Sequence, residues 1–421
     1  MTWRDAPSGA ATLPHADRLH DDVELHPLAL GCLVCHDQRL CGGMRIAAGS
    51  LWCLDRCCGG LANCDTVCPA KPRHYVDRIR EINGFDLARI PSIVGQPFPA
   101  LSLITPVLYG GGQRHLYCGP TVSLSMWKLI DRHQQCVRYQ SREALAAAFS
   151  FAKEATIILT GVDEDGPLER YWNLEKSGRR RIIRDLVALG IHGATSPNFS
   201  MFTSRPRYDD LYSMKRIAIT WYEMMDEGLA TALHVNARAD SDWLRWTDFI
   251  VARPEIDSIA YEFKTPGRKE WHAARLIRLA KDVGRPLRLV VRGGRRFLSS
   301  FAKEFAGVHL LDTSSYVKTM KRQRALLDDR RSLSWVAVQT GPEEFLDDLF
   351  LHNVVEVTSA LDQITNSGVE ELSSDMTGNG RHEARPRRFL DQSITGQGRL
   401  FTFDKLSMIP THEPKLSTQA C

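Results

Sequence analysis

At 421 residues, 43% of them hydrophobic and 25% charged, the chain can bury a substantial core, which excludes a wholly disordered protein. Its 54 basic residues nearly balance 50 acidic ones, so the net charge of +4 does not by itself argue for nucleic-acid binding. No stretch reaches the apolar length needed to span a bilayer, and residues 1–21 mix charges with proline where a secretory signal would be apolar; a cytoplasmic protein with no membrane partner is expected.

In chain order, the sequence predicts a partly disordered leader at 1–30, a cysteine-rich module at 31–92, an α/β domain at 93–358 and a flexible tail at 359–421. Eight of the eleven cysteines fall in the module: Cys32, Cys35, Cys41, Cys53, Cys57, Cys58, Cys64 and Cys68. In a reducing compartment thiols gathered this way are the usual mark of a thiolate-ligated metal, whereas a disulfide knot calls for secretion. Gly42, Gly43, Gly59 and Gly60 stand beside the thiols, where a chain wrapped around a metal needs positive φ.

The choice of metal stays open. The Cys32–Cys35 pair, with His36 beside it, suits zinc, while the wider gaps, the adjacent Cys57 and Cys58 and the Cys68-Pro69 pair suit a [4Fe–4S] iron–sulfur cluster. A radical-initiating cluster is not indicated: two residues beyond Cys57 and Cys68 stand Gly60 and Lys71, not cysteines.

From about Leu101, short β-branched runs alternate with longer amphipathic stretches, as in a parallel sheet covered by helices. Predicted strands are 103–108, 156–161, 191–195, 231–236, 258–263, 287–292, 308–312 and 335–339. Ser141 is placed to cap a helix over 142–152, Asp240 and Ser241 one over 243–251, and Gly228 and Gly284 to end helices over 207–227 and 269–283. A helix is read around 123–132, followed by a short run at 136–139. Eight strands in about 250 residues predict a (β/α)8, TIM-barrel-like domain; an open doubly wound sheet is the alternative.

In either architecture chemistry sits at the carboxyl ends of the strands. That rule selects Asp163, Glu262 and Asp312 as candidate acid, base or nucleophile, and Asn198, Ser200, Asn236, Arg238, Arg292 and Gly293 as substrate-binding candidates. Glu262 lies among Ile259, Ala260, Tyr261 and Phe263, where burial raises a carboxyl pKa; the competing reading is an ion pair with Arg292. Asp312 before Thr313 and Ser314 also reads as a helix cap. The glycines Gly110–Gly112, and Gly293 and Gly294 beside Arg292, Arg295 and Arg296, suggest phosphate-binding turns, although neither matches a nucleotide fingerprint.

The segment Gly193-Ala194-Thr195-Ser196-Pro197-Asn198-Phe199-Ser200, followed by a long helix and a strand, resembles an uncharacterised family of bacterial and phage proteins with an S-P-[DN]-F-S motif, over about 93–296. The resemblance implies a setting in phage defence, mobile elements or nucleic-acid processing; Asn198 stands where that family often has Asp, so no carboxylate role carries over. A more distant similarity is to base-exchanging transglycosylases, barrels with a zinc site, whose cysteines follow the catalytic strands where these precede them. Three functions follow as expectations: a metal-stabilised enzyme acting on a nucleotide or nucleic acid, a non-catalytic nucleic-acid or protein binding module, and a redox-sensing cluster protein. Basic clusters at Arg179–Arg181 with Arg184, at Lys318, Lys321, Arg322 and Arg324, and at Arg385, Arg387 and Arg388 motivate the second.

Overall fold

The computed structural model describes residues 81–374, except 111–115, 132–134, 202–206, 239, 266, 329–331 and 342–343. The leader and the cysteine set Cys32, Cys35, Cys41, Cys53, Cys57, Cys58, Cys64 and Cys68 lie outside the described residues. The chain divides into a unit ending at Val369, which contains the sheet, and a unit from residue 370, of which 370–374 are described.

The first strands are β1 (Ile104–Leu108) and β2 (Thr121–Ser125), the latter running into a single helical turn, α1 (Met126–Leu129). A small hairpin, β3 (Ile130–Asp131) and β4 (Cys136–Val137), precedes α2 (Arg142–Phe149) and β5 (Thr156–Thr160). Ser141 caps α2 as its sequence position predicts, its Oγ accepting from Ala144 N at 3.2 Å. Then follow α3 (Asp165–Trp172), α4 (Glu175–Ala188), β6 (Gly193–Thr195), α5 (Arg207–Asp226) and β7 (Thr231–His234). The regular alternation continues through α6 (Asp240–Val251), β8 (Ser258–Glu262), α7 (Lys269–Val283) and β9 (Arg288–Arg292). Gly284 ends α7 in the left-handed region, at φ 67°, a conformation that a side chain would strain. The last elements are α8 (Leu298–Ala302), β10 (Gly307–Asp312), α9 (Ser314–Met320), the hairpin β11 (Gln323–Leu327) and β12 (Leu333–Ala337), and α10 (Asp347–Ser374).

Eight of these strands, in the order β1-β10-β9-β8-β7-β6-β5-β2, close into an all-parallel barrel, β1 pairing with β2 to complete the ring. The fold is therefore a TIM-type (β/α)8 barrel, and the open-sheet alternative falls. Strand burial is nearly continuous, as it must be where one face lines the lumen and the other packs under helices.

Two elements differ from the sequence reading. The second barrel strand is β2, where a helix was expected around 123–132. Its residues alternate: Val122 and Leu124 pack outward under the helices, while polar Thr121, Ser123 and Ser125 turn to the lumen, so neither face announces a buried strand. Trp335, expected to begin an eighth barrel strand at 335–339, instead pairs antiparallel with Ala325 in the β11–β12 hairpin. The helix α10 also continues to Ser374, well past residue 359 where a tail was expected to begin.

Val107, Ile158, Ala232, Ala260, Val290 and Leu311 form an apolar layer across the lumen, with Phe98 below it. Phe98 N donates to Asp257 Oδ2 at 3.2 Å, and the Arg288 guanidinium donates to the Phe98 carbonyl, so the segment before β1 stoppers the amino end of the barrel. The barrel is thus a packed core open at its carboxyl mouth. Among the described residues no helix is long and apolar enough to cross a membrane.

Candidate active site

Side chains alternate along a strand, so residues two positions beyond the apolar layer also face the lumen, now at its carboxyl mouth. These are Tyr109, Thr160, His234, Glu262, Arg292 and Thr313, joined by Ser125 of β2. The floor of the mouth is apolar, and its wall is polar.

Glu262 and Arg292 are register partners on β8 and β9. Arg292 Nε lies 3.3 Å from Glu262 Oε2, close enough for an ion pair but off the angle of a hydrogen bond, so both atoms are buried without a hydrogen-bond partner. Glu262 Oε1 accepts from Lys264 N at 2.7 Å. Glu262 is 4% exposed, and burial raises its carboxyl above the ordinary carboxylate range; Arg292, the Lys264 N–H and the charges of Lys264 and Lys269 pull it partly back. Both sequence readings of this residue, a perturbed carboxyl and an ion pair, hold together.

Lys264 continues the inward side of β8, its Nζ donating to Thr313 Oγ1 at 2.6 Å. The residue as a whole is exposed, but its ammonium is partly withdrawn from water over the lumen, which lowers its pKa, with Arg292 adding and Glu262 and Asp312 opposing. Tyr109 ends β1. Its phenol pKa is raised by burial, lowered by Arg292, and raised again by Glu262, Asp163 and Asp312, so it stands in the field of the whole mouth as a neutral hydrogen-bond donor.

His234 is 2% exposed, and its Nδ1 has no hydrogen-bond partner. Burial and the neighbouring Arg292 charge push its pKa down to about 3, which keeps the imidazole neutral. Asp163, in the loop after β5, is exposed and accepts from Ser125 Oγ at 3.3 Å.

The remaining predicted residues serve the walls. Asp312 points away from the lumen and caps α9: its Oδ1 accepts from Ser314 N at 2.8 Å, and its Oδ2 accepts from Ser315 N at 2.9 Å and from the Ser315 hydroxyl. The cap reading of Asp312 is the one its geometry supports, and its carboxylate is engaged. Asn198 Oδ1 accepts from Asn236 Nδ2 at 2.9 Å, and the same amide donates to the Phe199 carbonyl at 3.1 Å. Ser200 donates to Asp165, and Arg238 Nε donates to the Met201 carbonyl at 2.8 Å. Asn198, Asn236 and Arg238 hold the Ser-Pro-Asn-Phe-Ser loop against the loop after β7, and Ser200 ties it to the start of α3. Ser196 accepts from His234 N at 2.9 Å, and Phe199 is buried beneath the Arg216 guanidinium, 4.1 Å from its ring centroid. The motif is therefore a loop stitch beside the mouth.

Gly293 and Gly294 turn the chain sharply, at φ 78° and 69°; a Cβ on Gly294 would lie 2.6 Å from the Phe263 ring. Backbone geometry accounts for both glycines. Among the described residues no group of three or more histidine, cysteine or carboxylate side chains is placed to hold a metal.

With these features the protein falls in the class of TIM-type barrels whose mouth carries convergent titratable groups. No protein-family model matches the sequence, and no curated protein matches it. Among solved structures it is similar to a sialic acid aldolase of Ruminococcus gnavus, at 12% identity and a TM-score of 0.30, over 66% of this chain and 82% of that one. A likeness at that level says nothing about chemistry, and the barrel rests on its own strand pairing.

Proposed function

We propose that the protein is an enzyme that acts on an anionic substrate of the nucleotide or nucleic-acid class by proton transfer at the barrel mouth. The observation that carries this reading is Glu262, a buried carboxyl of raised pKa held beside Arg292 and opening toward Lys264, Tyr109 and His234. A carboxyl whose pKa is raised by burial holds its proton more readily than an ordinary glutamate and can take part in proton transfer. Arg292 and Lys264 supply positive charge next to it, suited to a phosphate or carboxylate that approaches as the Glu262–Arg292 contact opens. Tyr109 offers a hydroxyl donor for negative charge developing on a substrate oxygen. His234, fixed neutral, contributes an uncharged ring nitrogen still lacking a partner. Asp163 is the second carboxylate available at the rim.

Fold alone does not name a reaction, and the weight here falls on the side chains. The test is a survey of nucleotides and oligonucleotides with the full-length protein, product formation being followed by mass spectrometry, alongside Glu262→Gln and Arg292→Met. Turnover lost in both variants while the circular dichroism spectrum is unchanged supports the reading; turnover undiminished in Glu262→Gln rejects it.

The amino-terminal thiols are proposed to hold an iron–sulfur cluster or zinc that stabilises their segment, on the strength of their clustering in sequence. Elemental analysis of protein purified without oxygen, with an absorbance spectrum, distinguishes iron and sulfide from zinc. Protein free of both metals would overturn the proposal.

A further inference from the structure

Beside the mouth, between α1, the β3–β4 hairpin and α3, lies a cleft of about 460 Å³, of which the function proposed above uses only Asp163. That volume is within the range of small-molecule sites. Its wall includes Trp127 and Tyr171, whose rings meet edge to face with centroids 5.5 Å apart. Lys128, Arg138 and Arg170 stand around it, all exposed, and among the described residues none of the three has a carboxylate partner. Arg138 gives only its Nε to a backbone carbonyl, at 3.3 Å from the Ile130 oxygen. The cleft and the mouth meet at Asp163, which lines the cleft and whose charge acts on Tyr109.

The chemistry of the lining constrains the occupant. Three cations outnumber the carboxylates Asp131 and Asp163 and favour a ligand with an anionic group. Trp127 is half-buried, so the exposed part of its ring offers the ligand a flat apolar surface. A bare phosphate meets the first requirement alone, and an uncharged sugar misses it. A nucleotide meets both requirements, with phosphate for the cations and the face of a base for the aromatic wall.

We propose that this cleft is a nucleotide subsite, taking the base and phosphate of the substrate unit next to the group that reacts under Glu262. The inference rests on the function proposed above and narrows its substrate to one carrying an aromatic base within reach of Asp163.

The test is calorimetric titration of the full-length protein with adenosine, guanosine, cytidine and uridine 5′-monophosphates, the matching nucleosides and inorganic phosphate. Four forms are compared: wild type, Lys128→Glu/Arg170→Glu, Trp127→Phe and Arg292→Met. At least one monophosphate should bind more tightly than its nucleoside and than phosphate. The exposed charge reversals, which leave the core untouched, should weaken that nucleotide by about tenfold or more for the lost charged contacts. Trp127→Phe replaces the indole by a smaller phenyl ring, shrinking the flat surface, and should cost about threefold to tenfold. Nucleotide affinity unchanged by the double reversal, but lost in Arg292→Met, overturns the cleft while sparing the mouth. Affinity indifferent to both, or no nucleotide binding by wild type, overturns the two together.

Discussion

Arg292→Met separates the two roles of the Glu262–Arg292 contact, because it strands a carboxyl that has only 3% of its side chain exposed. At 3.3 Å and an effective dielectric of about 20, the Coulomb attraction of the pair is about 5 kcal/mol. The arginine side chain is 18% exposed, so the measurable cost of removing it should be on the order of 3–5 kcal/mol, the usual range for breaking a buried pair. That cost depends on pH, and its sign is fixed. Folded Glu262 holds its proton more tightly than the unfolded chain does, so its contribution is fully favourable below the unfolded glutamate pKa and is lost as pH rises through the folded value. Arg292 is the strongest influence lowering that folded value, so Arg292→Met extends the loss to higher pH. Urea unfolding of the variant at pH 5 and pH 9 should show the larger deficit at pH 9, and adding Glu262→Gln should remove most of the difference. A deficit equal at both pH values, and unchanged by Glu262→Gln, would refute this electrostatic reasoning.

Other predictions concern the frame of the site. Glu223→Ala strands Arg179, which is buried, bonded to Glu223 through two 2.7 Å contacts and stacked 4.3 Å from the Trp172 ring centroid; denaturant unfolding should show a loss of about 3–5 kcal/mol, much of it recovered in Arg179→Met/Glu223→Leu. Lys215, buried and donating to the Asp86 carbonyl, has its pKa lowered by burial from 10.5 to about 8, so the folded protein binds fewer protons than the unfolded chain between those values. Stability should therefore rise with pH across that window in wild type and stay flat in Lys215→Met, as measured by denaturation midpoints. Asp312→Ala removes the α9 cap and should cost about 0.5–2 kcal/mol in unfolding experiments, while ligand affinity at the mouth stays within about twofold of wild type.

The barrel was legible wherever strand and helix kept their own periods. Seven of its eight strands coincide with short runs predicted from the sequence, and Gly284 marks the end of α7 as sequence alone suggests. The strand β2 was not legible, because three of its five residues, Thr121, Ser123 and Ser125, are polar lumen residues, and a buried serine looks like a surface one in a single sequence. Missing that strand also hid Ser125.

At the site, choosing the last polar residue of each strand found Glu262 and Arg292, but it picked Asp312, whose side of the strand faces a helix. The alternation from the apolar layer instead picks out lumen-facing positions: His234 two residues past Ala232, Tyr109 two past Val107, and Thr313 two past Leu311. Tyr109 could have been found by applying the strand-end rule to β1, where attention went to the neighbouring glycines. Asn198, Ser200, Asn236 and Arg238 show the limit of that rule, since loop-stitching residues and ligand-binding residues have the same chemistry and differ only in whether a neighbour already occupies their hydrogen bonds.

The central claim is that the barrel mouth holds one carboxyl whose pKa burial raises above that of an ordinary glutamate. Carbon-13 NMR titration of protein labelled at its glutamate carboxyls, compared with Glu262→Gln, measures this directly. One resonance should titrate well above the ordinary glutamate range and be missing from the variant. If every glutamate resonance titrates within that range, or the elevated one survives the substitution, the account is contradicted.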